Sequence, residues 1–140
     1  MNEKELTAKI HSSMYQQCKK RGYATPVDVL MDVGVLSKKS YEDWRFGRVP
    51  FLEKVCGVNL HKLSFIMGQI RSFARKNGYK ESFTYYKRWG TKNRGVGKST
   101  IPLRFSKSGN PDIERAYATH YLDEKRIEDL KIEKQPCKSE

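Results

Sequence analysis

Apolar residues recur at helical spacing through the first half of the chain. Leu6, Ile10, Met14 and Cys18 repeat every fourth residue and line one face of a helix over residues 3–21. Glu3 and Glu5 stand at its start and Lys19, Lys20 and Arg21 at its end, as the helix dipole prefers. Gly22 then supplies a left-handed stop. Thr25-Pro26 opens a second helix, a capping hydroxyl followed by a proline at the first helical position. Val27, Leu30 and Met31 are its inward positions, Val33 lies at its end, and Gly34 stops it. Ser37 caps a third helix over residues 38–46, with Tyr41 and Trp44 on one face and Gly47 as its stop. Val49-Pro50 opens a short fourth helix carrying Phe51, Leu52 and Val55. Asn59 caps the longest, over residues 60–77, with Leu60, Leu63, Ile66 or Met67, Ile70 and Phe73 as its stripe and Gly78 as its stop.

The second half is less regular. Residues 82–89 have the aromatic content of a strand. Ser82 could equally cap a short helix stacking Tyr85 on Trp89 at i, i+4, and the helix is the expectation adopted. Residues 91–98 are glycine-rich and basic, so a loop is expected. Residues 100–105 read as a strand, which Pro102 places at a sheet edge. Asn110-Pro111 starts another helix, and residues 118–122 return as a strand against 101–105. The expectation is a mainly α, compact multi-helix domain with a helix-turn-helix-like hairpin and a small β-ribbon in the C-terminal third. Residues 1–122 form one globular domain, helical over 1–78 and a basic, aromatic α/β part over 79–122; residues 123–140 are a charged tail or helix.

Charge changes this picture. The 140 residues carry a formal net charge of +12. Between Arg71 and Lys107 the cations are Arg71, Arg75, Lys76, Lys80, Lys87, Arg88, Lys92, Arg94, Lys98, Arg104 and Lys107, against the single acid Glu81. Almost the whole excess therefore sits in about a quarter of the sequence, interleaved with Phe73, Tyr79, Phe83, Tyr85, Tyr86, Trp89 and Phe105. A scattered positive surface can serve solubility alone, but so long an acid-poor run points to a polyanionic partner. No apolar run approaches the roughly 18 residues of a membrane span. The first residues are polar and acidic, unlike a secretory signal. Three widely spaced cysteines, Cys18, Cys56 and Cys137, do not suggest a disulfide framework and suit a cytoplasmic setting.

Five constellations bear on chemistry. Residues 25–46, two helices joined through Gly34, resemble a helix-turn-helix. The match departs at Leu30, where a small residue is usual, and at Tyr41 and Trp44, one place late; an ordinary helical hairpin explains the same residues. Gly95 to Thr100 resembles the tail of a phosphate-binding loop, but Lys92 stands where that loop needs glycine. Pro111-Asp112 with Asp123-Glu124-Lys125 has the spacing of a metal-dependent nuclease, although Asp112 fits a helix start for dipole reasons alone. Cys56 and His61 lack a second ligand pair, so no metal site is expected. His120 is expected to be a half-buried structural histidine, and His11 and His61 surface residues. In the corner from Trp44 to Pro50, Trp44 and Phe46 read as packing residues, while Arg45 and Arg48 either pair with Glu42 and Asp43 or reach phosphate.

The expected function is non-catalytic nucleic-acid binding of a bacterial or phage type, with DNA or RNA as partner and no cofactor. The expected contact residues are Arg45, Arg48, Arg71, Arg75, Lys76, Lys87, Arg88, Trp89, Lys92, Arg94, Lys98, Arg104 and Lys107. Tyr85, Tyr86 or Trp89 would stack on unpaired bases. An interaction protein docking on an acidic protein or nucleoprotein, and a small nuclease acting through Asp112 or Asp123, are the alternatives.

Overall fold

A computed structural model describes residues 2–89 and 103–134. The basic loop with Lys92, Arg94 and Lys98, the loop-tail motif at 95–100, the first part of the strand expected at 100–105, and Cys137 lie outside the described residues.

The chain runs α1 (Glu3–Arg21), β1 (Tyr23–Ala24), α2 (Pro26–Asp32), α3 (Lys38–Arg45), a 3-10 turn (Leu52–Val55), α4 (Leu60–Lys76), β2 (Lys80–Phe83), α5 (Pro111–Ala118), β3 (Thr119–Leu122) and α6 (Glu124–Lys134). The architecture is mainly helical with a small antiparallel sheet. Helix starts fall where short polar side chains can take up the free N–H groups of the first turn. Thr25, Ser37, Asn59 and Asn110 accept from the backbone N–H of Asp28, Ser40, Lys62 and Asp112. Gly22 closes α1 at φ 86°, and its missing side chain also makes room for α6. A Cβ there would stand 2.5 Å from Ile127 Cγ1.

The core is built from the apolar stripes. Ile10 and Met14 of α1, Val27 and Leu30 of α2, and Leu63, Ile66 and Ile70 of α4 are buried together. Trp44 is the one fully buried side chain of α3. It donates from Nε1 to the Arg104 carbonyl at 2.7 Å and packs on Tyr86 and Phe105. Burying an indole and satisfying its N–H in one contact ties α3 to the chain sixty residues on.

Three expectations are corrected. Residues 82–89 form no helix: β2 ends at Phe83, and residues 84–86 belong to no helix or strand. The reason is a partner. β3 lies between β1 and β2, pairing Tyr23 with Leu122 and, on its other side, Lys80 through Phe83 with Leu122 through Thr119. Backbone groups satisfied across strands have no need of a helix. Consequently, among the described residues, β3 is partnered by β2 and β1 and not by 103–105. Residues 103–106 belong to no strand: Leu103 N donates to the Tyr86 carbonyl at 2.8 Å, and Phe105 N and Ser106 N donate to the Glu114 carboxylate at 2.8 and 2.6 Å. Finally, Val49-Pro50 opens no α-helix. Leu52 N and Glu53 N are taken by the carbonyls of Arg104 and Phe105, leaving only the 3-10 turn.

The charged segment after Asp123 is a helix on α1. Arg126 Nε donates to the Lys19 carbonyl at 2.8 Å, and Asp123 N to the Gly22 carbonyl at 2.8 Å. Among the described residues no helix is long and apolar enough to cross a membrane.

Candidate nucleic-acid interface

Two groups of expected contact residues assemble. The first forms at the corner after α3. Gly47, at φ 75°, turns the chain between Phe46 and Arg48, and the segment after β2 returns against this corner. Trp89 N donates to the Arg45 carbonyl at 2.6 Å, and Arg88 Nε donates to the Phe46 carbonyl at 3.1 Å. Arg88 lies so close over Gly47 that a Cβ there would be 2.5 Å from its Nε. Trp89 meets Phe46 and Tyr41 edge-on at 5.5 and 5.7 Å. The Tyr85–Trp89 stack expected from i, i+4 spacing is absent; Tyr85 meets Phe83 instead, at 4.9 Å.

The two corner arginines have different partners. Arg48 Nη1 bridges to Asp43 at 3.1 Å and lies 4.8 Å over the Phe46 ring. Hydrogen bonds from Arg48 and Lys39 hold the Asp43 carboxyl below its usual range. Arg45 takes no acid among the described residues. Its guanidinium lies 4.6 Å from the Trp89 ring, 5.1 Å from Tyr86 and 5.9 Å from Tyr41, whose hydroxyl accepts at 3.1 Å. Its Nε is buried with no hydrogen-bond partner there. Lys87 is exposed beside Arg88.

The second group lies along α4 and α5. A cavity of about 720 Å³ between them is lined by Leu60, Leu63, Met67, Ile113 and Ala116, with Arg71 and Lys107 at its edges. Glu53 and Asp112 also line it. Arg75 and Lys76 are exposed in the last turn of α4. Burial raises the Tyr121 phenol and Glu81 adds to the rise, while Arg71 and Arg75 oppose it, which sets these two cations near the sheet. Arg104 is spent locally. Its Nε donates to the Ser106 carbonyl at 2.8 Å and its Nη2 to the Lys107 carbonyl. Lys80 bridges to Glu124 at 3.9 Å, an exposed pair of small energetic weight.

Of the aromatic candidates, Tyr85 is 64% exposed and Trp89 37%, whereas Tyr86 is buried and cannot stack on a base without moving. The nuclease carboxylates do not meet. Asp112 borders the α4–α5 cavity, while Asp123 accepts from Arg126 N at the start of α6. No group of three or more His, Cys, Asp or Glu residues that could hold a metal occurs among the described residues. His120 is half-buried, stacked on Tyr23 at 5.5 Å, with Nε2 3.4 Å from the Tyr86 hydroxyl. Desolvation, then the charge of Arg21, hold its pKa below 6.5.

Residue spacing gives no sign of Arg21 as part of this neighbourhood. It reads as a dipole-compensating residue at the end of α1, yet the β1 turn carries it towards His120 and Arg45. Comparison of the chain with protein families, with curated proteins and with solved structures yields no match.

Proposed function

We propose that this protein binds nucleic acid without catalysing a reaction on it. The observation that carries the reading is the acid-poor run from Arg71 to Lys107, which holds eleven cations and one acid. The phosphate backbone is the polyanion best matched to such a run, because each neutralised phosphate releases condensed counterions. The corner with Arg45, Arg48, Lys87 and Arg88 supports it further, since exposed Trp89 stands among these cations as a surface for an unpaired base.

The test is the salt dependence of binding to free DNA and RNA. Lys87→Ala and Arg88→Ala should each weaken binding and reduce the slope of log K against log salt by about one. Unchanged slopes in both folded variants would contradict a phosphate role for this corner. A second reading is docking on an acidic protein or nucleoprotein. It draws on the apolar cavity between α4 and α5, which Arg71 and Lys107 line together with Glu53 and Asp112. Affinity for such a partner in the absence of any affinity for free nucleic acid would favour it.

A further inference from the structure

A smaller cavity, of about 210 Å³, opens where the end of α1, α3 and residues 84–86 meet. Arg21, Asp28, Tyr41, Arg45, Tyr85 and His120 are among its walls. Its charge is unbalanced. Asp28 Oδ2 already accepts from Arg21 Nη2 at 2.6 Å and from the Thr25 hydroxyl at 2.8 Å. Arg21 is fixed further by Gln17 Oε1 at 2.6 Å and the Tyr23 carbonyl at 3.1 Å, so its charge cannot swing away. Arg45 brings a second guanidinium and no second carboxylate. Aromatic faces offset only part of what a guanidinium loses on leaving water. An anion lodged in this cavity would supply the counter-charge that Arg45 lacks among the described residues.

Size narrows the anion. Pockets for whole drug-sized molecules run to about 300–1,000 Å³. This one suits a single compact group with several acceptor oxygens, which two guanidiniums and neighbouring phenols can address. The same residues 84–86 also wall a second cavity, of about 430 Å³, lined by Phe83, Tyr85, Leu103, Phe105 and Arg115, with Asp112 and Glu114 also on its walls. That cavity is mostly apolar and aromatic. Phe83 and Tyr85 meet at 4.9 Å, and the Arg115 guanidinium lies 4.8 Å over Phe83. Tyr85 belongs to both cavities.

We propose that the two cavities together form a site for one unstacked nucleotide, its phosphate held by Arg45 and Arg21 and its base laid against Tyr85 and Phe83. The proposal rests on the nucleic-acid reading above and narrows it. A base must leave its helix to reach Tyr85, so single strands are preferred over duplex.

Binding of a short single-stranded oligonucleotide, and of the duplex of the same sequence, is measured by fluorescence anisotropy. The proteins are the wild type, Arg45→Gln, Arg45→Lys, Tyr85→Ala and, as a charge control, Lys9→Gln on the exposed side of α1. Each is first checked by thermal melting. The wild type should favour the single strand by about tenfold, and Tyr85→Ala should lose about that factor on the single strand and little on the duplex. Arg45→Gln should lose a similar factor. Arg45→Lys should fall between, keeping charge but not the planar fork. Lys9→Gln should change neither ligand's affinity beyond about twofold, as expected for one distant charge. If Arg45→Gln melts too low to assay, exposed Tyr85 decides alone. Equal single-strand affinity of wild type and Tyr85→Ala would overturn the site and leave the nucleic-acid reading standing. A wild type that binds neither ligand would overturn both.

Discussion

At the scale of single residues, neighbouring side chains of one type do different work. Arg45 and Arg48 are three positions apart. Arg48 finds Asp43, while Arg45 finds three aromatic rings and no acid among the described residues. Residue spacing leaves that choice open, because it depends on Tyr86 and Trp89 arriving from forty residues later. Arg104 is equally illegible in advance. Its sequence neighbours suggest a phosphate contact, yet its fork closes on the carbonyls of Ser106 and Lys107. His120 permits a prediction of its own. Burial and Arg21 disfavour its charged form, with Asp28 opposing, so the unfolded chain takes up that proton more readily than the folded one. Its contribution to stability is therefore complete above the ordinary histidine value and is lost as pH falls below it. The urea midpoint should decline below a pH of about 6.5, and His120→Gln should flatten that decline. Parallel pH profiles for the two proteins would show that His120 does not carry the effect.

At the scale of elements, what could be read in advance was local. Caps, stops and apolar stripes act within four residues, so α1 to α5 begin and end close to where the pattern puts them. The strands were harder because pairing is not local. β1 has only two residues, and nothing in Tyr23-Ala24 announces that they will pair with Leu122 and Tyr121. Residues 82–89 carry both a strand-like composition and a helical cap, and the free edge of β3 decided between them. The candidate site inherits this limit. Its cations were visible as a run, but the corner that gathers Arg45, Arg48, Arg88 and Trp89 depends on the return of the chain after β2. Trp44 is the residue on which that return closes, fully buried and bonded to the Arg104 carbonyl. Trp44→Ala should cost about 3–5 kcal/mol in chemical denaturation, through the cavity it leaves and the lost hydrogen bond. A midpoint equal to that of the wild type would contradict the packing role given to this indole.

At the scale of the whole molecule, the described cations gather against aromatic rings at the α3 corner and against apolar walls at the α4–α5 cavity. The α3 corner holds arginines around Trp89, and the α4–α5 cavity sets Arg71 and Lys107 around apolar walls. Two acids are engaged in holding the fold. Glu114 anchors the amides of Phe105 and Ser106, and Glu53 accepts from the Tyr117 hydroxyl at 2.8 Å. The proposal of a polyanionic partner rests on the run from Arg71 to Lys107 itself, eleven cations and one acid. It is tested most directly by filter binding of the intact protein to single-stranded DNA, duplex DNA and RNA at a series of salt concentrations. Retention at low salt should fall log-linearly, with a slope of about −0.7 to −0.9 for each phosphate neutralised. No retention of any of the three at low salt, or retention indifferent to salt, would contradict it.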